Sequence, residues 1–150
     1  PLQQLAAVTP QAVFEQVIAT RNSKLPNPYT LPNAGSFFKN PIITNQCLAT
    51  LLTTFVDLPH YKHGAKHHKV AAGWLIEQAG LKGHRIAGIE VHKQQALVLV
   101  NYGQSQGSDL IAMIKHIQHS VFSCYNIMLE HEVRLINNNI ECHIAAELTQ

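Results

Sequence analysis

Apolar positions recur along this chain in two periods, and the change of period marks its elements. Val13, Phe14, Val17 and Ile18 follow Thr9-Pro10 at helical spacing. A threonine there can accept from a free backbone N–H, and a proline at the first helical position has its φ already set. The spacing predicts an amphipathic helix ending near Asn22. Pro26, Pro28 and Pro32 then exclude regular helix or central strand and predict a stiff, extended connector. Thr44 can cap a second helix carrying Cys47, Leu48, Leu51, Leu52 and Phe55, which Asp57-Leu58-Pro59 ends. Residues 70–79 read as a third helix stopped by Gly80. Residues 88–92 and 96–101 read as two strands about a turn at Lys93-Gln94-Gln95. Ser108 is placed to cap a long helix whose apolar face is Leu110, Ile111, Ile114, Ile117, Val121 and Cys124. Residues 129–136 and 140–146 read as a last pair of strands around Asn137-Asn138-Asn139. Strand runs broken by helices, without a β-α-β-α repeat, predict an α+β fold: an antiparallel or mixed sheet with helices packed mainly on one side.

Residues 60–69 interrupt this pattern. They hold His60, His63, His67 and His68 among three lysines and read as a polar surface loop. Four nearby histidines invite a metal-binding reading, yet no cysteine or paired ligand motif accompanies them, and no metal is expected. His116 and His119, at i and i+3, read as part of a solvated helix face.

Composition narrows the class. The 150 residues suit one domain with a real core, and 46% hydrophobic against 13% charged residues is ordinary for a globular chain. A net charge of +2 with scattered Lys and Arg predicts no nucleic-acid partner and no attraction to an acidic membrane. No apolar run approaches the ~18 residues of a membrane span. Cys47, Cys124 and Cys142 form an odd set without C-x-x-C spacing, which predicts buried thiols in a reducing, cytoplasmic compartment. The chain opens Pro1-Leu2 without a methionine and reads as one piece of a longer protein.

Two stretches carry candidate chemistry. In Asn33-Ala34-Gly35-Ser36-Phe37-Phe38-Lys39-Asn40-Pro41, Gly35 permits a tight backbone turn and Ser36 offers a donor and two acceptor lone pairs. Strand alternation would put Ser36, Phe38 and Asn40 on one face, able to hold a polar ligand or simply to meet water as an edge strand. In Leu129-Glu130-His131-Glu132-Val133-Arg134, the same alternation would group Glu130, Glu132 and Arg134. That group is either a solvated ion pair or a carboxylate pair, one member of which keeps its proton and acts as an acid. There is no H-E-x-x-H and no G-x-G-x-x-G fingerprint after a strand.

Taken in order, Lys24-Leu25-Pro26, the stretch from Asn33 to Pro41, Ala71-Ala72-Gly73-Trp74-Leu75-Ile76-Glu77, Gly80-Leu81-Lys82-Gly83, Val91-His92, Gln95-Ala96-Leu97-Val98-Leu99 and the stretch from Leu129 to Arg134 resemble the UDP-N-acetylenolpyruvoylglucosamine reductase (MurB) family. The resemblance implies a single domain over residues 1–150, the substrate-binding C-terminal portion of a monomeric bacterial flavoenzyme of peptidoglycan synthesis. It implies that FAD is bound by an upstream region and reduced by NADPH, and that the flavin passes hydride to the enolpyruvyl methylene carbon of UDP-N-acetylglucosamine enolpyruvate. Ser36 matches the family's proton donor, and Glu132 matches the glutamate beside the enolate-like intermediate. Lys24, Asn40 and Gln95 match residues that hold the UDP-linked substrate. A carboxylate facing an enolate must carry a proton or meet a cation, which is expected of Glu132. His131 departs from a usual proline and Glu90 from a usual small residue. Lacking the flavin region, and the arginine and tyrosine the family places upstream, this piece is expected to be inactive alone. Two other readings stay open: a free-standing nucleotide-sugar or phosphate-binding module, and a metal-binding interaction domain built on residues 60–68.

Overall fold

Val98, Leu99 and Val100 are consecutive, nearly inaccessible and mostly β-branched, which suits the middle of a sheet. In the computed structural model, which describes residues 9–137 and 140–142, they form the inner strand β7 (Val98–Asn101). With β1 (Asn33–Ser36), β6 (Ile89–Val91) and β5 (Arg85–Ile86) it makes a four-stranded sheet in the order β1-β7-β6-β5. A second sheet joins β2 (Ile42–Thr44), β4 (His67–Val70) and β3 (His60–His63) in the order β2-β4-β3. A third pairs β8 (Leu135–Asn137) with β9 (Ile140–Cys142). Every strand pairing among the described residues is antiparallel.

Among the described residues four helices complete the order: α1 (Pro10–Lys24), α2 (Asn45–Leu52), α3 (Ala72–Gln78) and α4 (Gly107–Tyr125). Helix α4 supplies the longest apolar stripe. Its Met113, Ile114, Ile117 and Val121 are buried in one cluster with Ile89, Val91 and Leu99 of the sheet and Leu75 and Ile76 of α3. Phe55, Trp74 and Tyr125 close the far side, with ring centroids 4.8–6.2 Å apart in tilted or edge-to-face arrangements. This is the α+β architecture the sequence predicts. On the outer flank of α4, His116 stacks on His84 at 4.4 Å. Burial, then the neighbouring His84 and His119, lowers the His116 pKa from its ordinary value and favours the neutral ring.

Several expectations are corrected. Helix α1 starts on its Thr9 cap with Pro10 in the first turn, but none of its residues is buried, and Phe14 and Val17 are 60% and 50% exposed. Its apolar positions therefore do not pack on this fold. Residues 60–69 are a β-hairpin and not a loop: His60–His63 pairs with His67–Val70 around Gly64, whose φ is +70°. Side-chain pattern hid it, because all four residues of β3 are exposed, and β4 is held by backbone pairing to β2 and β3 on either side. Helix α4 starts at Gly107, not after Ser108; Asp109 Oδ2 accepts from the Gln106 N–H at 2.8 Å and anchors that first turn. The expected last strand pair is shorter than read: β8 begins only at Leu135, residues 129–134 form no strand beyond one bridge at His131, and residues 143–146 lie outside the described residues. Nor are the thiols buried as expected, since Cys47 is half-buried and Cys124 exposed.

Candidate functional site

Gly35 takes φ +75°, a conformation that glycine adopts without a Cβ penalty. The register between β1 and β7 shifts at this point, between the Asn33–Val100 and Ser36–Val98 pairs. The irregularity also ends strand alternation. Phe37 and Phe38 are both buried, their rings 5.3 Å apart, while Ser36 and Asn40 are exposed. Ser36 and Asn40 therefore do not share one strand face, contrary to the period-two expectation. Two adjacent phenylalanines each find a place in the core, and the strand ends at Ser36 to allow it.

The Phe37 backbone is where the separated stretches meet. Its N–H donates to Leu97 O at 2.7 Å, which brings in the turn that carries Gln95. Its carbonyl accepts from the Glu132 N–H at 2.8 Å. A further bond, Lys39 N–H to Glu130 O at 2.9 Å, completes an antiparallel bridge centred on Phe38 and His131. The backbone just after Ser36 is thus tied to Leu97, two residues beyond Gln95, and to Glu132 itself. Gln95 is itself fixed in its turn, its N–H donating to His92 Nδ1 at 3.2 Å and its carbonyl accepting from the Val98 N–H at 2.9 Å.

Asn40 has a second task that sequence reasoning missed. Its Oδ1 accepts from the Ala72 N–H at 2.9 Å, at the start of α3. Ala71, the residue ahead of that helix, has no side chain able to cap it, so Asn40 supplies the cap from 32 residues away. With the carbonyl oxygen engaged, the Asn40 NH₂ remains the donor for a ligand. Asn40→Ala is expected to cost about 0.5–2 kcal/mol of stability and, on the expectation that Asn40 holds substrate, to weaken binding as well. Asn40→Asp keeps the acceptor and removes the donor, so a thermal melt near the parent combined with weakened ligand binding would separate the two tasks.

Lys24 stands apart. It is exposed on the last turn of α1, beyond which Asn33 Nδ2 ties the connector by bonds to Leu31 O (2.8 Å) and Pro26 O (3.3 Å). A cleft of about 830 Å³ opens there, lined among others by Arg21, Asn27, Tyr29, Asn33 and Gly35. Lys24 is not in its lining, although Asn22 and Leu25 on either side are.

The expected sharing of charge among Glu130, Glu132 and Arg134 is not found. Glu130 meets Lys39 at 3.3 Å and Arg134 meets Glu141 at 2.9 Å, both at the surface. Glu132 has no ion-pair partner among the described residues. The histidine hairpin brings the His60 and His68 rings to 5.6 Å and pairs His63 with His67 across the strands. Among the described residues no group of three or more His, Cys, Asp or Glu side chains gathers to hold a metal ion. Nor is any described helix long and apolar enough to cross a membrane.

Against known proteins, residues 27–136 match the family model described as UDP-N-acetylenolpyruvoylglucosamine reductase, C-terminal domain. The chain belongs to the UDP-N-acetylenolpyruvoylglucosamine reductase family. A reductase of that name from Pseudoalteromonas translucida is 95% identical over 149 residues, covering 99% of this chain and 44% of the relative. One from Vibrio cholerae is 50% identical over 132 residues, covering 88% and 38% respectively. One from Pectobacterium atrosepticum is 47% identical over 131 residues, covering 87% and 38%. The chain thus spans less than half the length of these curated reductases. The family model begins at Asn27, after α1, so the helix that buries nothing lies outside the matched reductase domain.

Proposed function

We propose that this chain is the substrate-binding and proton-donating part of a UDP-N-acetylmuramate dehydrogenase, an oxidoreductase of bacterial peptidoglycan synthesis in the cytoplasm. Its substrate is UDP-N-acetylglucosamine enolpyruvate, and its cofactors are FAD and NADPH. The observation that supports the reading is the pair of backbone bonds that tie Phe37, next to Ser36, to Leu97 near Gln95 and to Glu132. The hydroxyl, carboxamides and lysine of this set suit an oxygen-rich anionic substrate and are not the donors that would enclose a flavin ring. The flavin is therefore assigned to the rest of the longer protein, where it would supply hydride to one carbon of the enolpyruvyl double bond.

Reduction of that double bond needs one hydride and one proton on adjacent carbons. Ser36 Oγ–H is the proposed source of the proton. An alcohol is a weak acid, so it serves only against a basic, enolate-like carbon and only when held within hydrogen-bond reach. Ser36 then regains a proton from solvent. Glu132, carrying a proton or paired with a cation, offsets charge on the developing enolate, since a bare carboxylate would repel it. The Asn40 and Gln95 carboxamides donate to phosphate or uracil oxygens without adding charge, and Lys24 meets the diphosphate as a mobile cation.

Titration of this chain with the UDP-sugar substrate tests the assignment. The amide resonances of Ser36, Asn40 and Gln95 are expected to shift together at millimolar ligand, while those on the β3–β4 hairpin stay in place. No shift at any of the three would remove the substrate site from this chain.

A further inference from the structure

Gln118 is out of place in the apolar stripe of α4. Its neighbours on that stripe, Ile114, Ile117 and Val121, are completely buried, and Gln118 itself is 6% exposed. A carboxamide in such surroundings costs free energy unless it is hydrogen-bonded, and a methionine of similar length would fill the space without that cost. The bond it makes is specific: Gln118 Nε2 donates to Leu129 O at 2.8 Å, with both groups buried. Leu129 is fully buried and stands three residues ahead of Glu132.

The following residues are gripped from the other side. Glu130 O accepts from the Lys39 N–H at 2.9 Å, and the Glu132 N–H donates to Phe37 O at 2.8 Å. After Glu132, His131 Nδ1 and Val133 O lie 2.8 Å apart, a bond that closes over the Glu132 backbone. Outside this single bridge, residues 129–134 belong to no strand. Besides the burial of the Leu129 and Val133 side chains, these few bonds hold the segment, and the one from Gln118 ties its backbone to the helix beneath.

We propose that Gln118 is a positioning residue for the reductase reaction: its amide fixes the 129–132 segment on α4 and thereby sets where Glu132 stands relative to Ser36. The inference rests on the reading of Glu132 given above. It predicts that loss of the donor acts on the chemical step more than on substrate affinity, because the groups proposed to hold the nucleotide lie on other segments.

The test uses this chain in place of the matching part of the Pseudoalteromonas translucida reductase, loaded with flavin. Gln118→Met removes the donor and keeps the volume. It is expected to lower kcat roughly tenfold or more with KM changed by less than about twofold, the pattern of a group misplaced in the transition state. In the isolated chain the Glu132 amide, bonded to Phe37 O, should exchange its hydrogen about tenfold faster. Gln118→Glu can donate only while its carboxyl is protonated, so turnover should approach the parent at low pH and fall as the carboxyl ionises. A packing role alone would give no such profile. Parental kcat and parental Glu132 exchange in a folded Gln118→Met protein would overturn the proposal. If that variant does not fold, a flat activity ratio of Gln118→Glu to parent across pH does the same. Glu132→Gln is measured in parallel: parental turnover there removes the role of Glu132, whereas an impaired Glu132→Gln beside a fully active Gln118→Met removes only the positioning role.

Discussion

Ser36→Ala, made in the longer flavin-loaded reductase, is expected to lower turnover by about 10²–10⁴-fold, the span over which a positioned general acid contributes. The melting temperature should stay close to the parent. Ser36 is exposed at the end of β1, and its Oγ makes no hydrogen bond among the described residues. Its backbone pairing with Val98 does not depend on the side chain. Removing one hydroxyl there costs the fold no contact, and surface changes of that kind stay within about 0.5 kcal/mol. The two readouts separate sharply as a result. Substrate affinity should change little, since the proposed nucleotide contacts come from Lys24, Asn40 and Gln95. The informative measurement is the rate of product formation together with the rate of flavin reoxidation by the sugar nucleotide. A fully active Ser36→Ala enzyme would falsify the assignment of Ser36 as the proton source, whatever the role of Glu132.

Why the turn at Gly35 was legible in the sequence, while much of its setting was not, follows from the range over which each feature is encoded. Gly35 before Ser36 is a local signal, and the left-handed turn is found at Gly35. Thr9 and Thr44 ahead of their helices are equally local, and both hydroxyls accept a helix N–H, from Ala12 at 3.1 Å and Cys47 at 3.2 Å. The bonds that assemble the site join Phe37 to Leu97 and Glu132, and Asn40 to Ala72. A residue period reports on neighbours three or four positions away, so it carries no trace of such pairs. It also misled where the backbone departs from a single geometry. The alternation through residues 36–40 predicted one strand face, but the chain leaves the strand at Ser36 so that Phe37 and Phe38 can both be buried. The polar hairpin at residues 60–70 gave no apolar alternation to read, since its strands are held by backbone bonds. Gln118 was invisible for the opposite reason: a glutamine beside His116 and His119 reads as solvated, whereas it is buried among apolar residues of α4 and donates to Leu129 O.

Phe38→Ala is expected to produce the largest loss of stability, about 3–5 kcal/mol, as for other buried phenylalanines cut to alanine. Phe38 is 1% exposed and sits in the main apolar cluster, its ring against that of Phe37. For a chain of this length such a loss corresponds to a fall in melting temperature of roughly 6–20 °C, a large part of the 5–15 kcal/mol that typically separates folded from unfolded states. Ile114→Ala, at a completely buried position on α4, offers a control of similar kind with an expected cost of about 2–5 kcal/mol. The two variants should nevertheless differ in function. Phe38 lies between Ser36 and Asn40 in the chain and opposite His131 in the bridge that holds Glu132. Loss of its ring removes packing at the bridge next to Ser36, Asn40 and Glu132 in the chain, whereas Ile114 lies on α4, away from that bridge in sequence. Calorimetry on both, followed by substrate titration well below each melting temperature, makes the comparison. Folded Ile114→Ala is expected to keep the Ser36, Asn40 and Gln95 amide shifts, and folded Phe38→Ala to lose or disperse them. Equal responses in the two variants would mean that the bridge between Phe38 and His131 holds the fold but does not set the geometry of the site.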